Sequence, residues 1–321
     1  MRADALTEID LPFADRRDGK VRVSYALGGD RTGQRLFVTT DRLSAFDRVL
    51  AGVPFKGQVL NQLSAWWFEH TSDLVDNHVI ELPDPNVLVA RSATPLPVEV
   101  VVRGHITGVT DTALWTAYAR GERTVYGHEL PDGLSKNDAL PEPLVTPTTK
   151  GDHGDHDTPI TCDEVVERGL VDADLWRRVQ DVALAVFARG VERGAHAGLV
   201  LADTKYEFGL ADDGTLLLID EVHTPDSSRW WVAESLDERR RSGREPESLD
   251  KEVVRRALAD VGFRGDGPVP ELPDEVWEAT TARYVDAYER LTGETFRPAD
   301  QPADVRIRQA TAHLASPGDS T

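Results

Sequence analysis

The segment Leu199-Val200-Leu201-Ala202-Asp203-Thr204-Lys205-Tyr206-Glu207-Phe208-Gly209-Leu210-Ala211-Asp212-Asp213-Gly214-Thr215-Leu216-Leu217-Leu218-Ile219-Asp220-Glu221 reads as two strands joined by a tight turn. Asp-Gly between alternating runs is a strong hairpin signal, because both residues accept the positive φ that a type I′ turn demands. With Asp213-Gly214 as a two-residue loop, Asp212 pairs with Thr215 and Glu207 comes to lie opposite Asp220. Strand side chains alternate between faces, so Asp203, Lys205 and Glu207 share one side while Thr204, Tyr206, Phe208 and Leu210 share the other. Carboxylates facing each other across a ladder repel, which costs stability or drives one of them to take up a proton. A divalent cation relieves that repulsion. An all-oxygen donor set suits magnesium or manganese rather than zinc, completed by the phosphates of a substrate. On the hairpin alone, a solvated charged face with Lys205 pairing its neighbours explains the pattern equally well.

Outward from this hairpin, Thr224-Pro225-Asp226-Ser227-Ser228-Arg229-Trp230-Trp231 sets hydroxyls, backbone donors and an arginine just beyond the carboxylates, a turn suited to a phosphate or carboxylate. Upstream, Lys20–Leu27 and Arg35–Thr40 flank the turn-rich Gly28-Gly29-Asp30-Arg31-Thr32-Gly33 and predict a second hairpin, with Lys20, Arg22 and Ser24 on one face and Val21, Val23 and Tyr25 on the other. Leu60, Leu63, Trp67 and Phe68 recur at helical spacing within Gly57–His70. The apolar run Pro97-Val98-Glu99-Val100-Val101-Val102-Arg103 predicts a central strand covered on both faces. Residues 131–161, rich in Pro, Gly, Asp and His, read as one long irregular connection, the kind of segment that carries function rather than fold. Helical periodicity returns over 163–193, residues 232–251 read as a charged surface excursion, Asp274–Leu291 as a helix after Pro273, and the last twenty or so residues as a frayed end.

The chain has 321 residues, enough for two lobes with a sizeable core. A net charge of −20 argues against a nucleic-acid partner, which would be held through clustered Lys and Arg. It also means that an anionic substrate has to be caught by a few well-placed cations. The single Cys162 rules out an intramolecular disulfide and a cysteine-based zinc site. Met1–Asp18 has no apolar stretch of the signal-peptide kind and no later run is long enough to span a bilayer, so the expectation is a cytoplasmic protein without a membrane partner. Monomer and dimer both remain open.

Taken together, the motifs resemble the SAICAR synthase (phosphoribosylaminoimidazole-succinocarboxamide synthase) family over most of the chain. Gly19-Lys20-Val21-Arg22 is similar to the family's N-terminal phosphate strand, Thr40-Asp41-Arg42-Leu43-Ser44-Ala45-Phe46-Asp47 to its substrate loop, and Pro97 to Gly104 to its first signature. Thr146-Pro147-Thr148-Thr149-Lys150 with Gly154-Asp155-His156-Asp157, then Leu201–Gly209, then Ile219–Trp230, follow in family order, and several blocks in order are far more specific than any one. The resemblance implies an α+β fold with a small β-rich N-terminal lobe (1–98), a larger α/β lobe (99–321) and ATP in the cleft between them. It implies an ATP-dependent carbon–nitrogen ligase that phosphorylates the carboxylate of an aminoimidazole ribonucleotide and lets the amine of aspartate displace phosphate, with Mg2+ as the accompanying ion. Carried over residue by residue, Lys20, Arg22, Glu99, Lys150 and Glu207 contact ATP, with backbone near Glu99–Val101 meeting adenine. Glu207 and Asp220 hold magnesium; Asp203, Lys205 and Asp220 line the reacting end; Ser44, Asp47, Arg103, His156, Asp157, Ser227, Ser228 and Arg229 bind the ribonucleotide. The two histidines of Asp152-His153-Gly154-Asp155-His156-Asp157 match no strong metal spacing, which favours a substrate loop over a second metal site.

The sequence departs from the family pattern at Val23-Ser24, at His105 and Val109, at Gly151-Asp152-His153 and at His223. Two added imidazoles and a missing hydroxyl near Arg103 would suit an altered acceptor. Three other readings therefore stand beside the ligase: a paralogue amidating a related heteroaromatic ribonucleotide, a kinase-like phosphotransferase, and a nucleotide-binding module without turnover.

Overall fold

The described residues fold into two large antiparallel sheets, two small two-stranded ones and a set of helices, an α+β architecture, and the computed structural model describes residues 5–45, 48–110, 112–149, 158–263 and 267–315. Along the first part run β1 (Ala14–Asp18), β2 (Arg22–Ala26), β3 (Gln34–Thr39), β4 (Arg42–Ala45), β5 (Arg48–Gly52), α1 (Lys56–His70), β6 (Val79–Asp84) and β7 (Val87–Arg91). Then come β8 (Thr94–Pro95), β9 (Val98–His105), α2 (Leu114–Ala119), β10 (Thr124–Val125), β11 (His128–Glu129), β12 (Ala139–Val145), β13 (Thr148–Thr149) and β14 (Thr158–Pro159). The remainder holds α3 (Cys162–Glu167), α4 (Ala173–His196), β15 (Leu199–Leu210), β16 (Leu216–Ile219), β17 (Ser228–Val232), α5 (Ala233–Arg241), α6 (Glu252–Asp260), α7 (Asp274–Thr292) and α8 (Ala303–Thr311).

The first sheet has the order β1-β2-β3-β7-β6. Its alternation works as expected: Val23 and Tyr25 are fully buried, and they join Leu36, Val38, Val87 and Val89 in a core that also takes in Leu6, Ile9 and Leu11. The larger sheet runs β14-β13-β9-β15-β16, with β12 beside β9 and with β8 and β17 beside β15. Its main core joins α1, α4 and α7 to one face: Val98, Val100 and Val102 from β9, Tyr206 and Phe208 from β15, and Trp67, Trp176 and Tyr284 from the helices.

Several expectations change. β9 is central, but only one of its faces meets the core; the other, carrying Glu99, Val101 and Arg103, lines the cleft. The connection 131–161 is not irregular throughout, since β12 within it pairs antiparallel with β9. The run 163–193 is two helices rather than one: α3 begins with a capping box between Thr161 and Glu164, the chain turns at Gly169 (φ +67), and Asp172 caps α4. The carboxyl end is not simply frayed, because α8 returns to the first sheet and buries Ala303 and Ile307 there.

The hairpin register differs by one residue. Glu207 pairs with Ile219, Phe208 with Leu218 and Leu210 with Leu216. Ala211 N donates to Thr215 O at 3.0 Å and Gly214 N to Ala211 O at 2.8 Å, with Gly214 at φ +81, so the loop is the three residues Asp212-Asp213-Gly214 ending on a left-handed glycine. Asp213 reinforces it by accepting from Thr215 N at 2.9 Å. Asp220 is therefore not the ladder partner of Glu207. It lies past the end of β16 with φ +69, and this left-handed turn is what delivers its carboxylate to the cleft.

Candidate active site

A cleft of about 620 Å³ lies between the first sheet, which contributes Gly19–Arg22, and the exposed face of β9 and β15. Three adjacent strands place an ion-paired row across its floor, because Asp203 on β15 registers with Arg103 on β9 and with Arg229 on β17. The Asp203 carboxylate accepts from the Arg229 guanidinium, and Arg103 Nη1 stands 3.8 Å from the same oxygen. Arg103 is fixed further by Nε donating to Thr146 Oγ1 at 2.8 Å and by the ring of Tyr126, 5.8 Å from its guanidinium carbon. Two guanidiniums on one carboxylate leave a net positive patch, which suits an anionic ligand.

Two residues along β15, Lys205 Nζ donates to Glu99 Oε1 and to Glu207 Oε1, each at 2.7 Å. Burial alone would lower the Lys205 pKa, but Glu207 and Glu99 outweigh it and hold the ammonium well above its ordinary value. Beyond β16 the Arg22 guanidinium donates to Asp220, with its other nitrogen 3.6 Å from Glu221 Oε2. Burial raises the Glu221 pKa against the pull of Arg22, with Asp220 and Asp226 adding to the rise. Carboxylates thus gather at this end with cations already threaded between them. Among the described residues no group of three or more His, Cys, Asp or Glu side chains forms a ready metal cage.

The turn after Glu221 is locked by its own hydroxyls. Thr224 Oγ1 donates to Glu221 Oε2 at 2.6 Å and accepts from Asp226 N at 3.2 Å, and Ser228 Oγ lies 2.8 Å from Thr204 Oγ1. Underneath, the buried Lys56 donates to Asp226 Oδ2 at 2.7 Å and Tyr284 Oη to Asp226 Oδ1 at 2.6 Å. These bonds hold Asp226 ionised, its pKa near 2: burial pushes it upward, but Lys56 and Lys251 overcome that.

The cleft brings together Lys20, Arg22, Ser44, Glu99, Arg103, Asp203, Lys205, Glu207, Asp220, Ser227, Ser228 and Arg229, all named from the sequence. Asp47, Lys150, His156 and Asp157 lie outside the described residues, as do Gly151-Asp152-His153. Sequence reasoning missed Asp250, Lys251 and Arg255, which line the same cleft from the start of α6 although 232–251 reads as a surface excursion. Asp250 is buried and its Oδ1 accepts from Glu252 N at 2.7 Å. The available signal was a lysine and an arginine four apart on one helical face.

The described departures from the family pattern do not line the cleft. His223 is fully buried, on the core side, where its ring meets the Tyr206 hydroxyl and packs edge-on to Trp67; burial lowers its pKa to about 3. His105 packs against Trp231, Val109 is exposed, Val23 belongs to the core, and Ser24 accepts from Arg35. The expectation that added imidazoles reshape the acceptor pocket is thereby corrected.

The family model described as SAICAR synthetase matches residues 15–271. A putative phosphoribosylaminoimidazole-succinocarboxamide synthase 2 of Agrobacterium fabrum is 50% identical over 285 residues, covering 88% of each chain. The phosphoribosylaminoimidazole-succinocarboxamide synthase of Legionella pneumophila (strain Lens) is 46% identical over 304 residues, 94% of this chain and 96% of that one. Among solved structures, a SAICAR synthase from Saccharomyces cerevisiae complexed with SAICAR superposes with a TM-score of 0.76 at 32% identity, over 91% of this chain and 99% of that one. By the family match over most of its length and by these identities, the chain belongs to the SAICAR synthase family of ATP-dependent ligases in purine biosynthesis.

Proposed function

We propose that this cleft joins the carboxylate of carboxyaminoimidazole ribonucleotide to the amine of L-aspartate through an acyl phosphate made from ATP. The observation that carries it is the juxtaposition, in one cleft, of the Arg103–Asp203–Arg229 row, Lys205 and Glu207 on one face of β9, β15 and β17 with the Asp220 carboxylate delivered from beyond β16. In this reading, Lys20 and Arg22 meet the ATP phosphates, Lys150 reaches the nucleotide, and the Glu99–Val101 backbone meets adenine. Arg103, Arg229, Ser227 and Ser228, with Ser44, Asp47, His156 and Asp157, hold the ribonucleotide. The nucleotide-side lobe is 1–98 and the larger lobe 99–321, with α8 returning to the first.

A carboxylate oxygen of the ribonucleotide attacks the γ-phosphorus of ATP, and the bond to ADP breaks. The amine nitrogen of aspartate then bonds to the acyl carbon. The C–O bond to phosphate breaks, phosphate departs with one of the original carboxylate oxygens, and the nitrogen loses a proton. Lys205, kept cationic by its two carboxylates, and Arg22 counter the charge on the phosphoryl group in flight. Glu207 and Asp220 offer the all-oxygen donors that magnesium takes, but each is ion-paired here, Glu207 with Lys205 and Asp220 with Arg22, so an ion entering with ATP would displace those cations; bound, it would neutralise phosphate charge. The partners are small molecules and the compartment is the cytoplasm, consistent with the net charge of −20 and with no described helix long and apolar enough to cross a membrane.

Purified protein supplied with ATP, Mg2+, the ribonucleotide and aspartate is expected to release ADP, phosphate and amide in equal amounts. No ADP release at saturating substrates, or phosphate transfer to a hydroxyl without an amide, would contradict the assignment.

A further inference from the structure

A tyrosine occupies a turn position that Asn, Asp or Gly suits better. Tyr126 and Gly127 form the two-residue loop between β10 and β11, where Val125 pairs with His128, and both have positive φ, +54 and +81. A bulky L side chain is strained in this left-handed region. Such a residue persists only where its surroundings hold it, so the contacts of the side chain matter. The Tyr126 hydroxyl donates to Thr112 O at 2.9 Å, and its ring centre lies 5.8 Å from the Arg103 guanidinium carbon. Arg103 Nη2 reaches the same carbonyl at 3.4 Å. The hairpin is docked in turn by His128, whose Nε2 donates to Val145 O on β12 at 2.8 Å. Burial raises the Tyr126 pKa against the pull of Arg103, so the hydroxyl keeps its proton through the neutral range.

We propose that Tyr126 is a positioning residue for the ribonucleotide: it holds the Arg103 guanidinium off Asp203 and against the Thr112 carbonyl, so that its charge faces the cleft. The inference rests on the reading above that Arg103 receives the ribonucleotide, and Tyr126 itself is not among the residues lining the cleft. Thr110, Thr112 and Ala113 line one wall and Arg103 the floor, so the shared carbonyl joins the two surfaces. Arg103 is only loosely tied to Asp203, its Nη1 standing 3.8 Å from the carboxylate, while Arg229 donates directly to the same oxygen. Opposite charges attract more strongly as they close in a buried site. An Arg103 released from Tyr126 would therefore swing onto Asp203 and offer less charge to an incoming anion.

The test is the Kd of carboxyaminoimidazole ribonucleotide, measured by calorimetry on the whole protein, for Tyr126→Phe alone and combined with Arg103→Lys. Loss of one hydrogen bond corresponds to roughly 3- to 10-fold weaker ribonucleotide binding in Tyr126→Phe, with the Kd of ATP held within about 2-fold. In the Arg103→Lys background, which lacks the planar guanidinium, the same change should cost less than about 2-fold. An unmoved ribonucleotide Kd would overturn the proposal. So would an equal loss with and without Arg103, which is what a merely structural residue would give. Should Tyr126→Phe fail to fold, Tyr126→Asn, which suits the left-handed turn, carries the same comparison. A wild-type protein that did not bind the ribonucleotide would break the reaction assignment and this inference with it. A wild type that binds it and turns it over, with the Kd unmoved in the variant, would break only this inference.

Discussion

In the proposed reaction, Lys205 is the side chain whose charge the fold fixes most tightly. Suspended at 2.7 Å from both Glu99 and Glu207, it has its pKa raised in the fold. Its contribution to stability is therefore fully present below the unfolded lysine value and is lost only as pH climbs through the higher folded value. Through the neutral range it remains a fixed cation rather than a base. Lys205→Met should lower kcat by roughly 100- to 1000-fold, the scale on which a preorganised charge acts, and the measurement is steady-state turnover at saturating substrates. His223 obeys the opposite sign. Its folded pKa near 3 lies below the unfolded value, so the unfolded state takes up the proton first and stability falls as pH drops from about 6.5 toward 3, by up to about 1.4 kcal/mol per pH unit. His223→Leu should cost about 1–3 kcal/mol at pH 7, where the Tyr206 hydroxyl loses its partner, yet flatten the acid slope; urea denaturation at pH 7 and pH 5 checks both. The cleft face of β15 was legible because strand alternation alone puts Asp203, Lys205 and Glu207 together. The place of His223 was not, since its side of the chain depends on a left-handed backbone (φ +51) that no periodicity announces.

At the scale of elements, the hairpin β15–β16 carries the cleft carboxylates, and its sequence was read correctly in kind but one residue out in register. Asp-Gly marks a turn without fixing whether the loop has two or three residues, and a one-residue slip exchanges every partner. Asp220 still arrives in the cleft because its φ of +69 turns the chain where β16 ends. Asparagine tolerates this conformation, so Asp220→Asn should remove the charge without straining the backbone. The expected outcome is loss of turnover with the melting temperature nearly unchanged, and near-normal activity would refute the metal role. Where α4 packs on the sheet, a Cβ on Gly190 would stand 2.2 Å from His223 Cε1 and 2.7 Å from a Leu201 methyl. Gly190→Ala should therefore destabilise by about 1–3 kcal/mol in chemical denaturation even though alanine favours helix. The α6 wall escaped the sequence reading because a charged, aromatic-poor stretch looks like surface until tertiary packing buries Ser248, Leu249 and Asp250.

For the whole molecule, α8 brings the late part of the chain back onto the first sheet. Ile307 is fully buried in the core of the first sheet, and Arg306 donates to Asp84 at 2.7 Å and to Asn86 at 2.9 Å. Ile307→Ala should cost about 2–5 kcal/mol, read as a shift in the urea midpoint. The length and the order of motifs made two lobes and a cleft legible, but a short helix that closes back onto the first sheet leaves only Ala303, Ile307, Thr311 and Leu314 as its trace, too little to read among polar neighbours. The net charge of −20 repels anions at long range, so capture falls to the few cations that the two lobes aim into one cleft. What the molecule does with those anions is tested most directly by supplying ribonucleotide labelled with 18O in its carboxylate and analysing the released phosphate by mass spectrometry. An acyl phosphate predicts one 18O atom transferred to phosphate for each amide formed; amide formation with unlabelled phosphate would contradict it.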